Sequence, residues 1–190
     1  MSRLLAAAGT AVSVLLGACA SVPAVDGVAP AHHAADVAFE VSGRIAVRYA
    51  DRVDSGNFSW RHMVADDMLA LETPLGQTIA ELRRSPEGVA LKLADGRNYQ
   101  SASVESLSAD VLGWELPLSG LPYWLRGVPR PGLDSSFSPA SASSPLLLTQ
   151  AGWRVSYPEF AGPPALPARV VLQRDGLEIR LAIHRWNFNP

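Results

Sequence analysis

Residues 39–49 read FEVSGRIAVRY. Phe39, Val41, Gly43, Ile45, Val47 and Tyr49 fall on one side of an extended chain, and Glu40, Ser42, Arg44, Ala46 and Arg48 fall on the other. A period of two held this long marks a β-strand with one face in an apolar interior and one in water. One wet face is the habit of antiparallel sheets, since parallel sheets are covered on both sides.

The flanking sequence extends the pattern. Asp54-Ser55-Gly56 has the chemistry of a bend, after which NFSWRHM (57–63) resumes strand character. Residues 66–73 and 77–84 read as two arms around Pro74-Leu75-Gly76, where proline fixes φ and glycine accepts a positive one. GVALKLA (88–94) alternates, and Asp95-Gly96 is a hairpin signal leading into RNYQS (97–101). Strands return at GWRVSY (152–157), ARVVLQR (168–174) and LEIRLAIHRW (177–186), the last two joined by Asp175-Gly176. Consecutive hairpins make an antiparallel meander.

Residues 103–126 interrupt it. Ser103, with Ser106 as an alternative, can cap a helix whose stripe is Val104, Leu107, Val111 and Leu112. A second short apolar helix follows, with Leu118, Leu121, Trp124 and Leu125, stopped by Gly127 and Pro129. Residues 128–145, rich in proline, serine and glycine, read as a long loop. The expected fold is mainly β: an incomplete antiparallel β-barrel of about ten or eleven strands, with a short helical lid over an apolar cavity.

The chain opens MSRLLAAAGTAVSVLLGACAS. Arg3 precedes an apolar run from Leu4 to Leu16, too short to span a bilayer of about 30 Å as a helix and the right length for a secretory signal. Leu16-Gly17-Ala18-Cys19 resembles the bacterial lipobox, in which the cysteine is acylated and becomes the new N-terminus. Ala20 and Ser21 then point to the outer membrane rather than to retention in the inner one. Cys19 is the only cysteine, so no intramolecular disulfide exists. The division is a signal peptide over 1–18, the lipidated cysteine and a flexible tether over 19–36, and a single domain over 37–190, with the helical insert at about 103–126. His32 and His33 lie in the tether and are not read as a metal site.

The formal net charge is −2, with 16 Lys+Arg against 18 Asp+Glu, and cleavage removes Arg3. That balance argues against nucleic acid as a partner. No Gly-x-Ser-x-Gly elbow, His-Glu-x-x-His, Walker loop or Gly-x-Gly-x-x-Gly is present, and no enzyme or cofactor is expected. His62 and His184 read as surface or edge residues, and Asp66-Asp67 as bend residues that hydrogen-bond locally. Five tryptophans (Trp60, Trp114, Trp124, Trp153 and Trp186) are more than such a sheet needs for its core, and an apolar ligand cavity would account for some of them. Leu75 has two readings here: an ordinary exposed leucine, or a residue placed for contact with something outside the fold.

The stretches SGRIAVRY, SGNFSWRH, TPLGQTIAEL, DGRNYQS, LGWELPLSGLPYWLRG and GWRVSY, in this order, resemble the outer-membrane lipoprotein receptor LolB family from about Phe39 to Trp186. The resemblance implies a monomer, lipid-anchored in the outer membrane and facing the periplasm. Its partners would be the periplasmic carrier LolA, acylated lipoproteins as cargo, and the inner leaflet of the outer membrane. It makes Cys19 the lipidated residue and Pro74, Leu75 and Gly76 the membrane-insertion loop. Trp60, Trp124, Trp153, Trp186, Leu121 and Leu125 become candidates for the cavity and lid. The segment AHHAADVAF before the first strand departs from members with an aromatic-bearing helix there. Two rivals remain: a lipoprotein that binds lipid or lipopolysaccharide, and a scaffold lipoprotein of an envelope assembly machine.

Overall fold

The computed structural model describes residues 37–190. The signal peptide, Cys19, the tether and its two histidines lie outside the described residues. Eleven strands form one sheet among the described residues: β1 (Phe39–Tyr49), β2 (Arg52–His62), β3 (Asp67–Glu72), β4 (Thr78–Ser85), β5 (Gly88–Leu93), β6 (Asn98–Ser101), β7 (Ser135–Ser138), β8 (Leu146–Gln150), β9 (Trp153–Ala161), β10 (Leu166–Arg174) and β11 (Leu177–Asn187). Two short helices, α1 (Val104–Leu112) and α2 (Leu121–Trp124), stand between β6 and β7. The spatial order is β6-β5-β4-β3-β2-β1-β11-β10-β9-β8-β7, antiparallel throughout. The first and last halves of the meander are joined through β1 and β11. Because β6 and β7 do not pair, the barrel stays open.

Alternation sets the inner face. Phe39, Val41 and Val47 of β1 are buried, as are Phe58 and Trp60 of β2, Leu69 of β3, and Ala80 and Leu82 of β4. Gly43 sits where β11 crosses closest: a Cβ there would lie 2.1 Å from the carbonyl oxygen of Ala182, at a register shift between Ser42 and Gly43. Only glycine lets the two halves of the sheet meet at that spacing.

The bend expected at Asp54-Ser55-Gly56 is corrected. β2 runs straight through it, Asp54 pairing with Val47 and Gly56 with Ile45, and the reversal comes at Ala50–Asp51, with Ala50 at φ 49°. Gly56 serves close approach rather than turning, since its Cβ would lie 2.1 Å from the Glu72 carbonyl oxygen. The loop over 128–145 is also more ordered than expected: it holds the exposed edge strand β7, and β8 begins directly after it.

The helical insert is where the sequence places it. Ser103 caps α1, its hydroxyl accepting from Ser106 N, and Gly113 closes the helix in the left-handed region. The second helix is a single turn with Pro122 in its first positions. Gly120 before it is required by contact, because a Cβ would lie 2.4 Å from the Trp124 ring.

Candidate functional site

The inner face of the sheet is closed by the helical insert. Leu116, Leu118, Leu121, Trp124 and Leu125 are buried in the same apolar cluster as the strand residues Trp60, Val89, Leu148, Trp153 and Ile179. Trp124 and Trp153 lie 6.2 Å apart, one from the lid and one from β9. A second aromatic group sits where the chain enters the sheet: Phe39 lies 5.2 Å from both Trp60 and Trp186, and Trp186 stacks on Phe188. The structure thus brings Trp60, Leu121, Trp124, Leu125 and Trp153 into the interior, with Trp186 half-buried at its edge. These side chains pack together between sheet and lid.

One buried amide holds the lid down. Gln150, at the end of β8, accepts from Trp124 Nε1 and from Arg130 N, both at 2.8 Å. Its Nε2 donates to the carbonyl oxygens of Arg130 (2.8 Å) and Leu133 (3.2 Å). Both acceptor and donor sides of the amide are in use, so a polar group is carried into the interior without an unmet hydrogen bond. A second tie joins Arg174 to Glu115, the Arg174 guanidinium lying 4.5 Å from the Trp153 ring centre. Neither tie was foreseen. The only signal for Gln150 was a glutamine closing the apolar run of LLLTQ.

The reading of His62 and Asp67 is also corrected. Asp67 is not a bend residue: its carboxylate is fully buried, accepting from Trp60 Nε1 (2.9 Å), from His62 Nδ1 (2.6 Å) and from the Arg84 guanidinium. His62 is buried with it, whereas Asp66 and His184 are exposed as expected. A carboxylate can enter this interior because three donors replace its water. Beside the cluster opens a hollow of about 1440 Å³, walled by Met63, Val64, Arg84, Val89 and, from the lid, Leu118 and Tyr123. Among the described residues no group of histidine, cysteine or carboxylate side chains could hold a metal. No described helix is long and apolar enough to cross a membrane.

The hairpin at Pro74-Leu75-Gly76 stands at the other end of the sheet. Gly76 N donates to the Thr73 carbonyl oxygen at 2.9 Å and Thr73 N to that of Gln77 at 2.8 Å, with Gly76 at φ 84°. That geometry leaves the third turn position pointing outward, and Leu75 is 91% exposed. Strand direction separates the two ends. The turns at 50–51, 73–77, 94–97 and 175–176 share one end with Leu75. The turns at 63–66 and 86–87, the hollow, and the entry of the chain at Phe39 share the other.

An open antiparallel sheet wrapped around an apolar lid defines a half-barrel protein. The family model "Outer membrane lipoprotein LolB" matches residues 37–186, and the chain belongs to that family. It is 38% identical to an outer-membrane lipoprotein LolB of Chromobacterium violaceum over 92% of this chain and 94% of that one. It is 35% identical to the one of Thiobacillus denitrificans over 92% and 93%. A DUF1329 family protein from Desulfovibrio piger shares the fold at a TM-score of 0.52 and 8% identity, over 81% of this chain and 86% of that one. Family membership places the chain at the outer membrane as a lipoprotein, in the class of lipoprotein receptors.

Proposed function

We propose that this protein accepts acylated lipoproteins from the periplasmic carrier LolA and inserts them into the inner leaflet of the outer membrane, acting as a monomer without cofactor or catalysis. The observation that carries the reading is the lid: its apolar side chains are buried against the inner face of the half-barrel and are tied down by a few polar contacts around Gln150. Acyl chains can replace Leu121, Trp124 and Leu125 against the same wall with little net change in buried apolar area. Such an exchange needs no external energy. A preference of about 1.4 kcal/mol over the donor gives tenfold direction, small beside about 0.8 kcal/mol for each buried methylene.

Acylation of Cys19 supplies the anchor, and Leu75 with its flanking Pro74 and Gly76 supplies the contact with the bilayer. The chain enters the sheet at the end opposite Leu75, so the stretch between Cys19 and Phe39 has to reach back along the barrel. Fully extended it spans about 65 Å, against about 37 Å for the longest strands. An anchored molecule can therefore still turn its Leu75 end to the membrane.

The test uses the full chain carrying Cys19→Ser, an apolar fluorophore, and a triacylated peptide. The fluorophore should bind and the peptide should displace it. A folded protein that takes up neither would favour the scaffold reading. Mass spectrometry of co-purified material separates lipoprotein cargo from free lipid or lipopolysaccharide.

A further inference from the structure

Along β9 the side chains alternate, with Trp153, Val155 and Tyr157 buried on the inner face and Arg154 and Pro158 exposed. Tyr157 is 2% exposed, and its nearest aromatic neighbour is Phe160 at 5.8 Å. Its hydroxyl is buried and has no hydrogen-bond partner among the described residues. Burial also pushes its ionisation well above the usual tyrosine range, so the group remains a neutral O–H donor. The indole Nε1 of Trp186, on the inner side of β11 opposite Val41, is likewise buried without an acceptor.

The rest of the interior is different. Trp60 Nε1 has Asp67, Trp124 Nε1 has Gln150, and the Asp67 carboxylate has three donors. Against these satisfied groups, Tyr157 Oη stands out as a buried donor with no partner among the described residues. Phenylalanine at 157 would give the same ring without the cost of an unmet hydroxyl. A site meant for hydrocarbon alone has no use for that hydroxyl. A ligand with buried acceptors does.

Resting on the proposed function, we infer that Tyr157 Oη hydrogen-bonds a carbonyl oxygen of the esters or amide that join the cargo's acyl chains to its N-terminal cysteine. These carbonyls have acceptor lone pairs, and the esters have no donor of their own. They lie at the one polar point between hydrocarbon and peptide. A donor fixed in the wall sets the depth at which the acyl chains stop, and it separates acyl-linked cargo from plain hydrocarbon. The hydroxyl is unmet in the closed structure and bound cargo satisfies it, which biases the exchange toward the loaded state.

The experiment compares the full chain carrying Cys19→Ser with the same chain carrying Tyr157→Phe as well. The probes are diphenylhexatriene, a triacylated cysteinyl peptide with ester links, and the same peptide with ether links and an N-alkyl chain in place of the amide. Tyr157→Phe should melt at a temperature equal to or above the parent's and bind diphenylhexatriene equally well. Its affinity for the ester-linked peptide should fall roughly three- to tenfold, the worth of one hydrogen bond, while the ether-linked peptide binds both proteins alike. Unchanged affinity for the ester-linked peptide would overturn the inference, as would equal losses for the two peptides. If neither protein takes up diphenylhexatriene or peptide, the proposed function itself fails, a result distinct from a selective loss.

Discussion

Trp124 and Leu75 are both apolar side chains at the tips of short elements, and the fold treats them in opposite ways. Trp124 is 2% exposed, seated against Trp153 and hydrogen-bonded to Gln150. Leu75 is 91% exposed on a turn closed by its own backbone hydrogen bonds. The lid keeps its apolar surface against the sheet, where it contributes to stability. The tip keeps its surface in water, where it contributes almost nothing to folding. Tyr49, Val53 and Ile79, on or beside hairpin tips at the same end, are also exposed. The buried indole is tied down by a polar contact, and the exposed leucine is left untied.

The comparison breaks most visibly from the lid side. Trp124→Ala removes a fully buried indole and leaves the Gln150 amide short of a donor, and should cost about 3–5 kcal/mol of stability in urea unfolding. Asp67→Ala strands Arg84, His62 and Trp60 Nε1 beside the hollow, with a loss of about 3–5 kcal/mol by the same measurement. Gln150→Leu is milder. It keeps the volume while leaving the Trp124 and Arg130 N–H groups and two carbonyls unmet, for a loss of about 1–3 kcal/mol. Its sharper signature is local: hydrogen exchange over 121–133 should quicken well beyond that of β1 and β11. Equal quickening in both regions would show that Gln150 supports the whole core rather than the lid.

Much of this contrast was legible in the sequence. Alternation in FEVSGRIAVRY gave the inner face of β1, and Ser103 and Gly113 framed α1, because caps and periodicity are local signals. Leu75 stood out because a leucine at the tip of a tight turn conflicts with turn chemistry. What stayed hidden depends on distant partners. Asp54-Ser55-Gly56 reads as a bend, and only its pairing with β1 extends β2 through it. The run PLLLTQ has no alternation to mark β8, and nothing local shows that Gln150 faces Trp124, 26 residues earlier. Asp67 looked like a bend residue because its partners come from β2 and β4. Of the six tryptophan and leucine candidates, five are buried in the interior and Trp186 is half-buried at its edge, a setting fixed by strand order and lid packing rather than by local sequence.

The tip gives the smallest effect on the fold and the most direct view of the function. Leu75→Glu should change stability by less than about 0.5 kcal/mol, since nothing in the fold touches this side chain closely enough to bury it. In the bilayer the same exchange forfeits about 1.5–3 kcal/mol of apolar transfer and adds a charge that must stay hydrated. The decisive measurement follows a labelled lipoprotein from the carrier to this protein and then into liposomes, for parent and Leu75→Glu side by side. Uptake from the carrier should proceed at the parent rate, release into liposomes should fall roughly tenfold or more, and loaded mutant should accumulate. Release at the parent rate by a stable, loaded Leu75→Glu protein would contradict the receptor mechanism at its last step.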